Sequence, residues 1–538
     1  MNLYADLVFK NGQVITVNPN DDIVTSVASK DDKIIYVGND NDADEFVGPH
    51  TQIIDLEGRT LTPGFNDAHL HMTGIGAHQL EVNLTYPEVN SIADIKAKVK
   101  EAASKIPKGE WIRCFGYNQE FLEDKRHPTR WDIDEVAPEH PVVLVRVCSH
   151  VSVFNSNALQ IAKIADDSPD EPGGVFDREN GIVNGVMRES VHYARTKYYA
   201  YTERELENIY ILANKHLIER GITSVTDAGG PGTLQLKALQ TIKEAGKLDV
   251  RVYLMSLYQD GDKKLFNQLL PTGIRTGFGD DKLKIGSAKI MLDGSSSAPT
   301  SAVRRPYEHK NDGDCGILTA DQDGVNLFVN SAHTAGFQVT SHAVGDKAVE
   351  MVITGIETAL KNEPRNDHRH RIEHCGIVDA LLVERIKNAG IIPIPQPSFI
   401  YINGEIYFKF YGEDRVSMMM ALKSFLDADI PVAISSDCPV VPCEPMMTLY
   451  AACTRKSAKG NDICREQAVK PLEAIRMYTL NGAYASFEED IKGSLEVGKL
   501  ADFTVLSGAI LDMDPDNFMA LKPVMTVIGG KIVWKDSK

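Results

Sequence analysis

The chain has 538 residues, 43% hydrophobic and 25% charged, which is the usage of a globular protein with an ample core and not of a disordered or fibrous one. Its 57 lysines and arginines stand against 75 aspartates and glutamates, a formal charge of −18 that would repel a phosphate backbone, so nucleic acid is not an expected partner. No stretch approaches the ~20 apolar residues of a membrane span and the start carries no signal-like apolar core, so a cytoplasmic protein with no membrane partner is expected.

In chain order, the first sixty residues alternate short β-branched runs with turn residues: DLVFKNGQVITV from Asp6, KIIYVGND from Lys33, TQIIDLEGRTLTPG from Thr51. This is hairpin-rich strand writing. The last forty repeat the style, with ADFTVLSG and then PVMTVIGGKIVW, which turns at Gly529-Gly530. Residues 1–62 and 495–538 are therefore expected to close one small β domain where the two ends of the chain meet.

Between them, from 63 to 494, amphipathic helices alternate with apolar strands: LENIYILANKHLIERG before ITSVTDAGG, TLQLKALQTIKEAG before DVRVYLMSLY, GVNLFVNSAHTAG before FQVTSHAVGD. The beat continues into HRHRIEHC, IIPIPQP and IPVAISSDCP. With LTPGFNDAH and LKIGSAKIMLDG this makes eight strands, the number that closes a (β/α)8 barrel of the α/β class. A stretch from about 80 to 220 does not keep the beat and is expected as an insertion after the first strand, forming a cap beside the mouth. The eight cysteines include no CxxC pair and read as free thiols.

Catalytic groups of such a barrel sit at the C-terminal strand ends. The first strand ends in His69-Leu70-His71, whose imidazoles share one face of an extended backbone. The later ends offer Lys289, His342, His374 and Asp437. Singly each has an ordinary explanation: a strand-end histidine is more often hydrogen-bonded in place than a ligand, an aspartate after a strand often caps a helix, and a lysine alone reads as a solvated side chain. Together, four histidines, a lysine and an aspartate on five strand ends point to a divalent metal such as zinc, with Asp437 beside its water as proton acceptor and donor.

TPGFNDAHLHM, KIMLDGS, TSHAVGD, RIEHC, SSDCP, the tail TLNGAYASFEEDIKGSLEVGKLADFTVL and, inside the insertion, RHPTRWDIDEVAPEHPVVLVRVCSHVSVFNSNAL resemble the amidohydrolase superfamily, specifically the YtcJ-like branch of its family 3. The resemblance implies a distorted TIM barrel beside a β-sandwich built from both termini. It implies His69 and His71 as ligands of the more buried ion, a carboxylated Lys289 as bridge, His342 and His374 on a second ion, and Asp437 as ligand and general base. One or two ions per subunit, zinc foremost, are expected. His150 matches a histidine that the branch places near the substrate, and Tyr117, Asn118 and Gln396 are further candidates for that pocket. The chain departs from the branch at Ser149, where relatives commonly have glycine, and in SSAPTSA around Pro299, where they often carry an arginine.

The activity so implied is hydrolysis of a C–N bond in a small amide, N-formyl or cyclic-amide substrate by metal-bound hydroxide, with N-substituted formamide deformylases among the branch relatives. Deamination, ester or lactone hydrolysis, and a non-catalytic scaffold of the same fold are the alternatives, the last disfavoured because none of the six ligand positions is missing. The resemblance also allows a homodimer.

Overall fold

The computed structural model describes residues 4–229, 232–258, 265–310 and 312–537. Seven strands form one parallel sheet: β1 (Phe65–Leu70), β2 (Ile222–Asp227), β3 (Arg251–Tyr258), β4 (Leu283–Met291), β5 (Val339–Ala343), β6 (Arg371–His374) and β7 (Ile392–Ile394). Each pairs with its neighbour in the chain, so the order runs 1 to 7 without a crossover. These strands are buried on both faces, as parallel strands covered by helices must be, and this explains their unbroken apolar runs. Gly230, the last residue of ITSVTDAGG, lies outside the described residues.

The expected eighth strand is not regular. Residues 430–438 nevertheless fill the gap between β1 and β7: Asp437 N–H donates to His69 O at 2.8 Å and His71 N–H to Cys438 O at 2.8 Å, while Ser435 N–H reaches Pro395 O at 3.2 Å. Two donors that a ladder would use are diverted, Ile434 N–H to Met477 O and Ser436 N–H to the Asp67 carboxylate. The barrel is thus nearly closed, with its last stave held by side chains as much as by backbone.

The covering helices begin where the sequence supplies caps. Thr202 accepts from Glu205 N–H while Glu205 returns a bond to Thr202, starting Glu203–Ile218; Asp321 and Asp379 cap Gln322–Thr334 and Ala380–Asn388. Their apolar faces join the strands in one large core that includes Leu217, Val252, Ile285, Val349 and Ile372.

The two chain ends supply two further sheets. One is four-stranded, and the other, six-stranded, pairs Thr60–Pro63 with Phe503–Leu506, which joins the beginning of the chain to its end. Leu7, Phe9, Val27, Leu61, Phe503 and Val527 share one core. A buried fork fixes this unit to the barrel: Arg251, the first residue of β3, donates to both oxygens of Asp502 at 2.7 and 2.9 Å, and Gly529 N–H adds a third bond at 2.8 Å.

Between β1 and β2, residues 82–189 make a six-stranded sheet with its own core, into which Ala298 from the loop after β4 is packed. That contact sets the insertion against the C-terminal face of the barrel. All eight cysteines are free, and among the described residues no helix is long and apolar enough to cross a membrane.

Candidate metal centre

The parallel register sets the strand ends side by side. Lys289 pairs with Thr340, Met291 with His342, and Ala343 with His374, so the lysine and two histidines rise on neighbouring staves. On the other side of the gap the bond between Asp437 and His69 brings the carboxylate beside the His-x-His pair. His374, Cys375 and Asp437 have φ of 68°, 43° and 59°, a left-handed backbone that costs about 1–3 kcal/mol per residue and turns these side chains at the rim.

Six of the residues singled out from sequence converge. Asp437 Oδ1 lies 2.9 Å from His71 Nε2 and 3.3 Å from His69 Nε2, and Lys289 Nζ is 3.5 Å from the same His69 nitrogen. The His69 ring is 4.9 Å from that of His374, which is 4.4 Å from that of His342. His69, His71 and Asp437 each offer a ligand atom within 4.8 Å of the others. All six are buried except His71, whose side chain is 28% exposed and marks the open side of the cluster.

Three of the imidazoles are anchored from behind. His69 Nδ1 donates to Glu373 Oε2, His374 Nδ1 to Gln396 Oε1 at 2.8 Å, and His342 Nε2 to Gly294 O at 3.2 Å. Each tautomer is thereby fixed with a lone pair on the remaining nitrogen, and outer partners of this kind are what metal-ligating histidines use. Glu373 is itself tied by Arg371 and by the Thr340 hydroxyl, and its carboxylate, against the push of burial, is held far below its usual range by the Arg371 charge and by His69.

The electrostatics suit a cation. Burial drives His71 down to about 4 and His374 to about 3, so both are neutral ligands at pH 7. Burial also raises the Asp437 carboxyl, but its bonds with His69 and His71 outweigh this and leave it well below the usual carboxylate range. Burial lowers the Lys289 amine to about 8, which the nearby Glu373 and Asp437 charges only partly oppose. Gly229 is part of the same cradle: a Cβ there would fall 1.8 Å from His71 Nδ1. Imidazoles that keep a nitrogen free of the scaffold, an ionised carboxylate beside His69 and His71 and a backbone that leaves no room for a side chain fit a resident divalent ion.

The other candidates divide. His150 is at the rim, its ring 5.0 Å from His342, and its Nδ1 donates to Glu189 at 2.7 Å. Burial would push it down, yet the Glu189 carboxylate more than reverses this, to about 9. Gln396, expected to touch substrate, is fully buried behind His374, with its amide donating to Ile394 O and to Ser435. Tyr117 is likewise not brought to the cluster: it is fully buried in the core of the inserted sheet, its hydroxyl 3.0 Å from His127 Nδ1. Asn118 accepts from Arg146, which also reaches the Ser297 carbonyl.

Sequence reasoning missed Glu373, Asp293 and Glu189. Asp293 is fully buried, accepts the N–H groups of Ala302, Val344 and Gly345, and lies 3.5 Å from His342 Nε2. Glu373 had a usable signal, an acid inside a buried apolar strand. Glu189 stands inside MRES, residues 187–190, with nothing to mark it.

Comparison with known proteins adds a consistent set of likenesses. The amidohydrolase family model matches residues 52–534. The Bacillus subtilis (strain 168) protein YtcJ is 29% identical over 540 residues, 98% of this chain and 99% of that protein. The N-substituted formamide deformylase of Arthrobacter pascens is 26% identical over 555 residues, 99% of each. A crystal structure of a metal-dependent hydrolase from Pyrococcus horikoshii OT3 superposes with a TM-score of 0.76 at 26% identity, covering 95% of this chain and 98% of that one.

Proposed function

This chain belongs to the amidohydrolase family and is a hydrolase acting on carbon–nitrogen bonds, and from that premise we propose that it cleaves a small amide, N-formyl or cyclic-amide substrate. His69, His71, Lys289, His342, His374 and Asp437 hold one or two divalent ions, zinc foremost. The observation that carries this reading is the convergence of six side chains from five strand ends, three of them imidazoles with one nitrogen bonded to the scaffold and the other left free of it. The likeness to the Arthrobacter pascens deformylase favours a formyl or other small acyl group.

A bound divalent ion would supply a polarised carbonyl and a water acidic enough to ionise near neutrality. Asp437, kept ionised by its neighbours, is the group placed to accept a proton from an attacking water and to return it to the leaving nitrogen. Lys289, with part of its amine uncharged near neutral pH, could add carbon dioxide to form a carbamate with release of one proton to solvent, which would turn a cation that repels metal into an anion that helps hold it. Glu373, Gln396 and Gly294 keep the ligating rings from rotating. His150 contacts the substrate at the rim.

The test is to strip the protein with a chelator, restore zinc or manganese, and assay N-formyl amines, N-acyl amino acids, cyclic ureas and simple esters. Metal-dependent release of an amine from the amide members is the expected result; esterase activity alone would move the substrate class, and no turnover with any metal would refute the reading.

A further inference from the structure

Next to the ligand cluster lies a buried acid for which the proposed reaction has no use. Glu189 ends the strand Ile182–Glu189 of the inserted sheet and has no exposed surface. One carboxylate oxygen accepts from His150 Nδ1 at 2.7 Å and the other from the Thr300 hydroxyl at 2.7 Å. Its backbone N–H also donates to His150 O at 2.9 Å, so the two residues are joined through both main chain and side chain. Glu189 has φ 54° and ψ −125°, a strained backbone that persists only where its surroundings over-determine it. Gly294, next to Asp293, makes room for it: a Cβ there would fall 2.6 Å from Glu189 Oε1 and 2.3 Å from Thr300 Oγ1.

The arrangement leaves one part of His150 uncommitted. Its Nε2 makes no hydrogen bond among the described residues, while the ring lies 5.0 Å from His342 and 5.6 Å from Tyr193 and keeps 9% of its side-chain surface. The titratable groups around it are Glu189, Cys148, Tyr193, His192, His342 and Asp437. A carboxylate that fixes the far nitrogen of an imidazole and leaves the near one unbonded beside the histidine cluster is a positioning device.

We propose that Glu189 is a positioning residue that holds His150 with Nε2 presented to a polar group of the bound substrate, and that Thr300 couples this pair to the loop after β4. The proposal deepens the functional reading above and rests on it. It specifies that the substrate carries a polar group at the rim in addition to the scissile group, and that the 294–301 loop tunes recognition through Thr300.

The experiment uses E189Q, E189A, E189D, H150Q and the double variant E189A/H150Q in the metal-loaded full chain. On the fastest N-formyl or N-acyl member of the substrate panel, E189A is expected to lower kcat/KM about a hundredfold, the scale of a misaligned contact, with metal content unchanged. E189D recovers part of the loss, and the double variant is no worse than H150Q alone, because Glu189 acts through His150. Losses that multiply in the double variant, or that follow lost metal or a lowered melting temperature in E189A, would reduce Glu189 to a structural role and overturn the proposal. A second readout needs no substrate. The His150 Nδ1 proton, buried on a carboxylate, should give a far-downfield proton resonance that is absent in H150Q, lost in E189A and moved in E189Q. Persistence of that signal in E189A overturns the proposal whatever the kinetics, whereas absence of turnover across the panel with this signal behaving as expected sinks the functional reading alone.

Discussion

Strand β6 carries histidines at both ends, and the two ends use the same side chain in opposite ways. At its entry, His368 and His370 meet His333 at the base of the barrel. His333 Nε2 donates to Glu363 O at 2.7 Å and its Nδ1 accepts from His370 Nε2 at 2.9 Å. His370 Nδ1 accepts from Val339 N–H at 3.0 Å, and His368 accepts from His370 N–H and donates to Ala389 O, both at 2.9 Å. Every ring nitrogen there is bonded. At the exit, His69, His342 and His374 each spend one nitrogen on the scaffold and leave the other free of it, His69 Nε2 lying 3.3 Å from Asp437. A cluster of imidazoles is available to a cation when the scaffold uses half of its nitrogens and unavailable when it uses all of them; ring proximity alone, 4.4 Å at both ends, does not distinguish the two.

The contrast breaks most sharply at Asp437. D437N removes the proton acceptor while keeping the shape, so kcat should fall about a thousandfold, within the range of general acid–base catalysis, with the melting temperature nearly unchanged. Near-normal turnover would take Asp437 out of the mechanism. At the base the consequences reverse. H370A strands the Val339 N–H and deprives His333 Nδ1 of its donor, so it should cost roughly 3 kcal/mol in urea unfolding while leaving metal content intact. Loss of metal in H370A would erase the distinction between the two clusters.

Subtler changes sharpen the comparison. Q396A frees the back of His374 and should weaken metal affinity about 10–100-fold, measured by competition with a chromogenic chelator, without unfolding the chain. The smallest effect is in pH. Burial holds His368 at about 4 and His370 well below its ordinary 6.5, so between these values the unfolded chain binds protons that the folded chain does not. Stability therefore falls as pH drops from 6.5 toward 4, by about 1.4 kcal/mol per pH unit for each such histidine. Urea titrations of wild type and H368Q at pH 7 and pH 5 should show a shallower dependence in the variant.

The barrel's beat was legible because seven strands are buried on both faces and write unbroken apolar runs between capped helices. The eighth, IPVAISSDCP, has the same composition but loses its ladder, since Ile434 bonds Met477 and Ser436 bonds the Asp67 side chain, a partner 369 positions away. The candidate ligands were legible because they end strands that a closed sheet must bring together. What holds them was not: Glu373 anchors His69 across 304 positions, and Glu189 reaches Thr300 across 111. Tyr117, in the inserted segment, and Gln396, at the end of the seventh strand, are pocket candidates from sequence, whereas packing sets the first in the core of the inserted sheet and the second behind His374.

The central claim is that the exit cluster binds metal. It is tested most directly by elemental analysis of protein stripped by chelator and reloaded with zinc, wild type beside the folded double variant H69A/H71A. The account predicts one or two tightly held ions per chain in wild type and loss of at least one in the variant; equal metal content in the two proteins, or none in either, would contradict it.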